Sequence, residues 1–178
     1  MKFNQFFSIL LCLLLSTSIF AQRDTIDFNK DWQFAVDKKA EGQSNKWFEK
    51  SLANTKTVQL PHTWNIEKEN DMHYGWGWYQ KKFNIPANWK NKNVVLQFGA
   101  INHTSFIYVN GKKVEENIGD GYSKFYINLN GKLNYGKENN KYSHTFLIES
   151  ENNFPTASGL ASSSYAYAAI ALCLGDIF

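Results

Sequence analysis

Between residues 24 and 150 apolar side chains recur at every second position in short runs, and Gly, Asn or Pro follows most of them. A period of two is the rhythm of a half-buried β-strand, and it excludes the 3.6-residue rhythm of an amphipathic helix over the same stretch. In "GWYQKKFNIP" Tyr79, Lys81, Phe83 and Ile85 share one face, Gln80, Lys82 and Asn84 share the other, and Pro86 ends the strand. "NVVLQFGA" puts Val94, Leu96 and Phe98 on one face. "TSFIYVNGKKV" predicts a hairpin at Asn110-Gly111, a pair suited to the positive φ of a tight turn. "SKFYINLNGKL" repeats the pattern at Asn130-Gly131, and "TIDFNKDWQFAV" predicts two brief strands around an Asn-Lys-Asp turn. In "SHTFLIES" His144, Phe146 and Ile148 alternate with Thr145, Leu147 and Glu149, which predicts a last strand. Short, regularly spaced strands with such turns predict an all-β sandwich.

The two ends have a different texture. Residues 1–21 carry Lys2, an apolar run from Phe6 to Phe20 and a small residue, Ala21, before a polar stretch. This is the pattern of a signal peptide, and the run is too short to span a bilayer. The expected location is secreted or periplasmic, with no membrane attachment after cleavage. After Asn153 the chain is rich in Ala, Ser and Leu and almost free of charge. Ala and Leu favour helix, so residues 161–174 are expected to form a helix behind a loop and to add little to stability. The expected divisions are thus a signal peptide at 1–21, a sandwich domain at 22–150 and a loop-helix tail at 151–178.

Charge and special residues narrow the function classes. Nineteen basic and sixteen acidic residues leave a net charge of +3, without the basic patch or stripe that a nucleic-acid partner requires. Cys12 would leave with the signal peptide, so Cys173 has no disulfide partner in the mature chain. His62, His73, His103 and His144 lie far apart in sequence, and neither a metal site nor a cofactor is expected.

"VQLPHTWN", "GWGWYQKKFNIP", "LQFGAINHTSFIYVNGKKV", "GDGYSKFYINL" and "LNYGKEN" occur in order between about Thr25 and Asn139. This ordered set resembles the N-terminal sugar-binding domain of family 2 glycoside hydrolases, the group of β-galactosidases, β-glucuronidases and β-mannosidases. The resemblance implies a jelly-roll-like, galactose-binding-domain-like sandwich, export, a carbohydrate partner, and a place beside a catalytic barrel. Retaining glycosidases work with two carboxylates about 5–5.5 Å apart. In the family these lie on the barrel, so no catalytic residue is expected in this chain. Loops of the family's domain can reach the edge of the active site, which makes Asp71, His73, Tyr74, Trp76 and Trp78 candidates for substrate contact. Trp76 and Trp78 are two residues apart and share a side of an extended chain. Exposed, they offer aromatic faces to a sugar ring; buried, they fill the core.

"ESENNFPTASGLASSS" resembles the phosphate loop of diphosphomevalonate decarboxylases, of the GHMP kinase superfamily, and "AAIALCLGDI" resembles the helix that follows it. The candidate phosphate-loop residues are Ser158, Gly159, Ala161, Ser162 and Ser163. Small residues let backbone donors approach an anion at a helix N-terminus. The resemblance covers only residues 146–178, so this loop is expected to be a joined, non-functional fragment. Two alternatives remain: a piece of an ATP-dependent decarboxylase, and a freestanding carbohydrate-binding module.

Overall fold

A computed structural model describes residues 24–70, 73–135, 143–152 and 170–174. Among the described residues, ten strands form two antiparallel sheets. The smaller sheet has the order β1 (Asp24–Asp27), β10 (Ile170–Leu174), β5 (Val94–Phe98), β8 (Phe125–Asn128). The larger runs β3 (Lys56–Val58), β2 (Trp32–Asp37), β4 (Gly75–Asn84), β9 (Ser143–Asn152), β6 (Thr104–Val109), β7 (Lys112–Ile118). The described helical segments are short 3-10 turns at Trp47–Glu49, Trp64–Ile66 and Ala87–Trp89.

The alternation read from the sequence becomes the core between the sheets. Phe34 of β2, Tyr79 of β4, Ile107 and Val109 of β6 and Ile148 of β9 belong to one buried cluster with Val94, Leu96 and Phe98 of β5 and Ile127 of β8. Trp32 is fully buried and satisfies its indole N–H by donating to the Phe28 carbonyl at 2.7 Å. Burying a large side chain of this kind contributes roughly 1.5–3 kcal/mol. The Asn-Lys-Asp turn carries the chain from the small sheet to the large one, with Asp31 at φ 59°. At the β6–β7 hairpin Asn110 and Gly111 take φ 52° and 77° and Val109 faces Lys112, as the two-residue loop requires. The predicted last strand is β9, inserted between β4 and β6.

Two expectations change. Asn130-Gly131 makes no hairpin among the described residues: β8 pairs with β5, and the Lys132 N–H turns back to the Leu129 carbonyl at 2.9 Å. In the expected helix, residues 170–174 are a strand instead. β10 pairs with β1 from Asp24↔Leu174 to Asp27↔Ala171, and with β5 from Ile170↔Phe98 to Leu174↔Val94. A short apolar run fits a buried strand as well as a helix, and here two flanking strands supply the hydrogen bonds that decide between them. The rest of the expected tail, and the expected signal peptide, lie outside the described residues.

The position of β10 reverses the expectation that the tail adds little to stability. Truncation after residue 169 leaves β1 and β5 with unpaired facing edges. The shortened chain is expected to lose the cooperative thermal transition that the full chain gives in far-ultraviolet circular dichroism.

Candidate functional site

The start of β4 and the described residues before it, 61–70 and 73–74, form one pole of the sandwich. The loop is tied down by groups that sequence spacing alone does not connect. Trp64 lies buried and stacks on Phe34, with ring centroids 5.8 Å apart and planes 14° from parallel. Its indole N–H and the Asn65 amide both donate to the His73 carbonyl, each at 3.2 Å. The His73 N–H donates to the Asn70 carbonyl at 3.0 Å. The His73 ring then donates from Nε2 to the Trp76 carbonyl at 3.2 Å. Trp64 fits because Gly77 has no side chain: a Cβ there would stand 2.6 Å from the Trp64 ring.

Below this loop runs a closed polar relay. The His62 imidazole lies between the Tyr79 hydroxyl, 3.0 Å from Nδ1, and a Glu67 carboxylate oxygen, 3.2 Å from Nε2. A carboxylate only accepts, so Nε2 carries the hydrogen and the Tyr79 hydroxyl donates to Nδ1. Glu67 also pairs with Lys56 and accepts from the Asn70 amide at 2.8 Å. Burial pushes the Tyr79 phenol far above its ordinary value. Burial, then the Lys56 charge, lowers His62 to about 4. These contacts tie His62, Glu67 and Asn70 of the loop to Lys56 of β3 and Tyr79 of β4. His62 escaped the sequence reading because its partners are Tyr79, Glu67 and Lys56, three residues on separate segments; "PHTWN" was the only local signal.

The predicted contact residues part company. His73, Tyr74 and Trp76 come together at this pole. Gly75, at φ 132°, turns the chain into β4 and leaves Tyr74 at the rim, 43 % exposed. Trp76 is half-buried and stacks on Phe106 at 5.8 Å. Trp78 is 0 % exposed and belongs to a second apolar cluster on the outer face of the larger sheet, with Tyr108, Trp47, Phe48 and Leu52. Residues 38–55 cover that cluster. Asp37 anchors their first part, accepting from the Glu41 and Gly42 N–H groups at 2.9 and 2.7 Å and from the Trp78 indole at 3.3 Å. Gln80 anchors the later part, accepting from the Leu52 N–H at 3.1 Å and donating to the Lys50 carbonyl at 2.9 Å. Trp78 is therefore held away from any ligand at the surface.

Asp71, Ser158, Gly159, Ala161, Ser162 and Ser163 lie outside the described residues. Sequence reasoning missed Ile118 and Tyr122, exposed by 66 % and 67 % at the same pole as Tyr74. The register brings Ile118 there, since Ile118 faces Thr104 and Thr104 faces Glu151, one residue from the Gly75 partner Asn152, and Tyr122 lies in the turn that follows. Asp120 shapes that turn by accepting from the Tyr122 and Ser123 N–H groups, each at 3.0 Å. These hydrogen bonds hold its carboxyl below the usual carboxylate range. Among the described residues no His, Cys, Asp and Glu are grouped to hold a metal ion.

Two measurements test this geometry. Gly77→Ala forces its Cβ into the Trp64 ring and is expected to cost about 1–3 kcal/mol in urea unfolding. His62 supplies a pH signature. Its folded value of about 4 lies below the ordinary 6.5, so the unfolded chain binds the proton first as pH falls. Its contribution is complete above pH 6.5 and is lost between there and about 4, by about 3 kcal/mol. Urea melts across that window are expected to show this slope, and His62→Gln is expected to flatten it.

The sandwich and its loops are similar to known proteins. The chain is 32 % identical over 136 residues to a β-glucuronidase of Bacteroides fragilis, covering 74 % of this chain and 18 % of the relative. It is 29 % identical over 123 residues to a β-galactosidase of Thermoanaerobacter pseudethanolicus, covering 66 % of this chain and 16 % of that one. An uncultured Clostridium β-glucuronidase superposes with a TM-score of 0.72 at 25 % identity, over 89 % of this chain and 30 % of that chain. A Lactobacillus rhamnosus β-glucuronidase shares the fold with a TM-score of 0.69, over 86 % of this chain and 29 % of that chain. The chain thus spans a fifth or less of the length of these curated relatives. The family described as diphosphomevalonate decarboxylase-like N-terminal domain matches residues 72–178, more than half of the chain. The sandwich has β-glucuronidases and β-galactosidases as its homologues, and by the match over residues 72–178 the chain belongs to the diphosphomevalonate decarboxylase-like N-terminal family.

Proposed function

We propose that this chain acts as the non-catalytic, sugar-binding-type sandwich of an exported family 2 β-glycosidase of the β-glucuronidase group. The observation that carries this reading is the alignment with the Bacteroides fragilis β-glucuronidase, 32 % identical over 136 residues yet confined to 18 % of that protein. The relation covers a sandwich and leaves most of the relative's length to other parts. The pole at the start of β4 supports a role at a sugar: it brings together the His73 imidazole, the exposed Tyr74 phenol and the half-buried Trp76 indole. A carbohydrate partner would meet His73, Tyr74 and Trp76 there, with Asp71 beside them in sequence.

The chemistry of the Asp37 and Glu67 carboxylates agrees with a non-catalytic role. Asp37 spends its oxygens on two backbone N–H groups and the Trp78 indole. Glu67 spends its own on His62, Lys56 and Asn70. Export rests on the signal-like residues 1–21; among the described residues no helix is long and apolar enough to cross a membrane.

The decarboxylase-like match adds no second function. The described parts of residues 72–178 include strands β4 to β10 of the sandwich. Of residues 151–178, the described ones, 151–152 and 170–174, belong to strands β9 and β10 of the sandwich.

Incubation of the purified chain with 4-nitrophenyl β-D-glucuronide and β-D-galactoside tests the proposal. The expected outcome is release of 4-nitrophenol at the rate of buffer alone. Turnover that copurifies with the chain and disappears in Asp37→Asn or Glu67→Gln, with the fold retained, overturns it.

A further inference from the structure

The opposite pole of the sandwich carries a second surface that the reading above does not use. It lies where β4 ends and β5 begins, on the order of 30 Å from Tyr74 along the ten-residue β4. An open depression of about 670 Å³ is lined there by Lys90, Lys92, Asn93, Asn128, Asn130 and Tyr135 among others. That volume lies within the range of small-ligand sites.

The hydrogen bonds fix what this surface presents. The Val94 N–H donates to Asn130 Oδ1 at 3.0 Å, so the Asn130 amide nitrogen must point the other way. It donates to Asn93 Oδ1 at 2.7 Å. The Asn130 N–H in turn donates to Asn128 Oδ1 at 2.8 Å. Asn93 and Asn128 thus use their oxygens to accept from Asn130, and the NH₂ groups they have left are donors. Lys90 and Lys92 add two ammonium groups, and among the described residues neither forms an ion pair with a carboxylate. Tyr135, half-buried against the core, adds an aromatic wall. The lining therefore combines ammonium and amide donors with one aromatic face and contains no carboxylate.

We propose that this depression binds an acidic saccharide, with a uronate carboxylate on Lys90 and Lys92, hydroxyls on the Asn93 and Asn128 amides, and a sugar face against Tyr135. A donor-rich surface calls for an acceptor-rich, negatively charged ligand. The discrete depression suits a few sugar rings better than a nucleic acid, which is met by an extended basic stripe. The site stands on its own lining and does not depend on the accessory-domain reading.

Titration of the full chain with a tetrasaccharide of alternating glucuronate and N-acetylglucosamine, followed by calorimetry in low salt, tests the proposal. Saturable binding is expected, weakened roughly three- to tenfold both by the double substitution K90A/K92A and by methyl esterification of the sugar. Asn128→Asp keeps the oxygen that receives the Asn130 N–H but replaces the donor with a charge, and is expected to abolish binding while the melting temperature holds. Equal affinity for the methyl ester, equal affinity for a thymidine tetranucleotide, binding unchanged in K90A/K92A, or no heat at millimolar sugar overturns the proposal. Because the tetrasaccharide assay does not measure hydrolysis, its failure leaves the proposed accessory role to its own test.

Discussion

Strand β9 is the constraint on which the larger sheet depends. It pairs with β4 over ten residues, from Gly75↔Asn152 to Asn84↔Ser143, and with β6 over six. Without it β4 and β6 would each be an edge, with a row of N–H and C=O groups unpaired. The strand reaches this place from far along the chain, so it forms by long-range closure rather than by a local hairpin. Once it is in, β4 cannot slide: a slip by one residue would turn Tyr79 out of the core and Gln80 into it. The pole at Tyr74 inherits its precision from that register.

The smaller sheet repeats the device. β10 stands between β1 and β5, so the sequence-late strands occupy inner positions in both sheets. This explains what was legible in the sequence. Alternation in β4, β5, β6 and β9 announced itself because every second side chain of a strand turns to the core between the sheets, as Tyr79, Leu96, Ile107 and Ile148 do. The turn at Asn110-Gly111 was equally plain, since few residue pairs tolerate its dihedrals. β10 was not plain. "IALCL" has no polar alternation, and local propensity pointed to helix while tertiary pairing required a strand.

The site was legible in part for a similar reason. That Trp76 and Trp78 share a face follows from spacing. That one is covered and the other only half-covered depends on residues 38–55, whose path is set by Asp37 and Gln80 through hydrogen bonds across the sheet. His62 looked like a scattered histidine because its partners are separated in sequence and only the fold assembles them. The amides around Asn130 were likewise invisible in advance: their polarity is fixed by a backbone N–H of β5, and a sequence does not record which way an amide faces.

The cover over the outer aromatic row has an architectural consequence. The main core lies between the sheets, whereas Trp78, Tyr108, Trp47 and Phe48 form a separate cluster on the far side of the larger sheet. The flap at 38–55 is therefore modular. Its length and composition decide how much of a ready-made aromatic bed is roofed, while the sandwich beneath keeps its packing. Lengthening the flap at Ser44 or Asn45, both exposed, would extend the roof toward Trp76 and Phe106. Shortening it would bare Trp78 and Tyr108, which no other described segment covers.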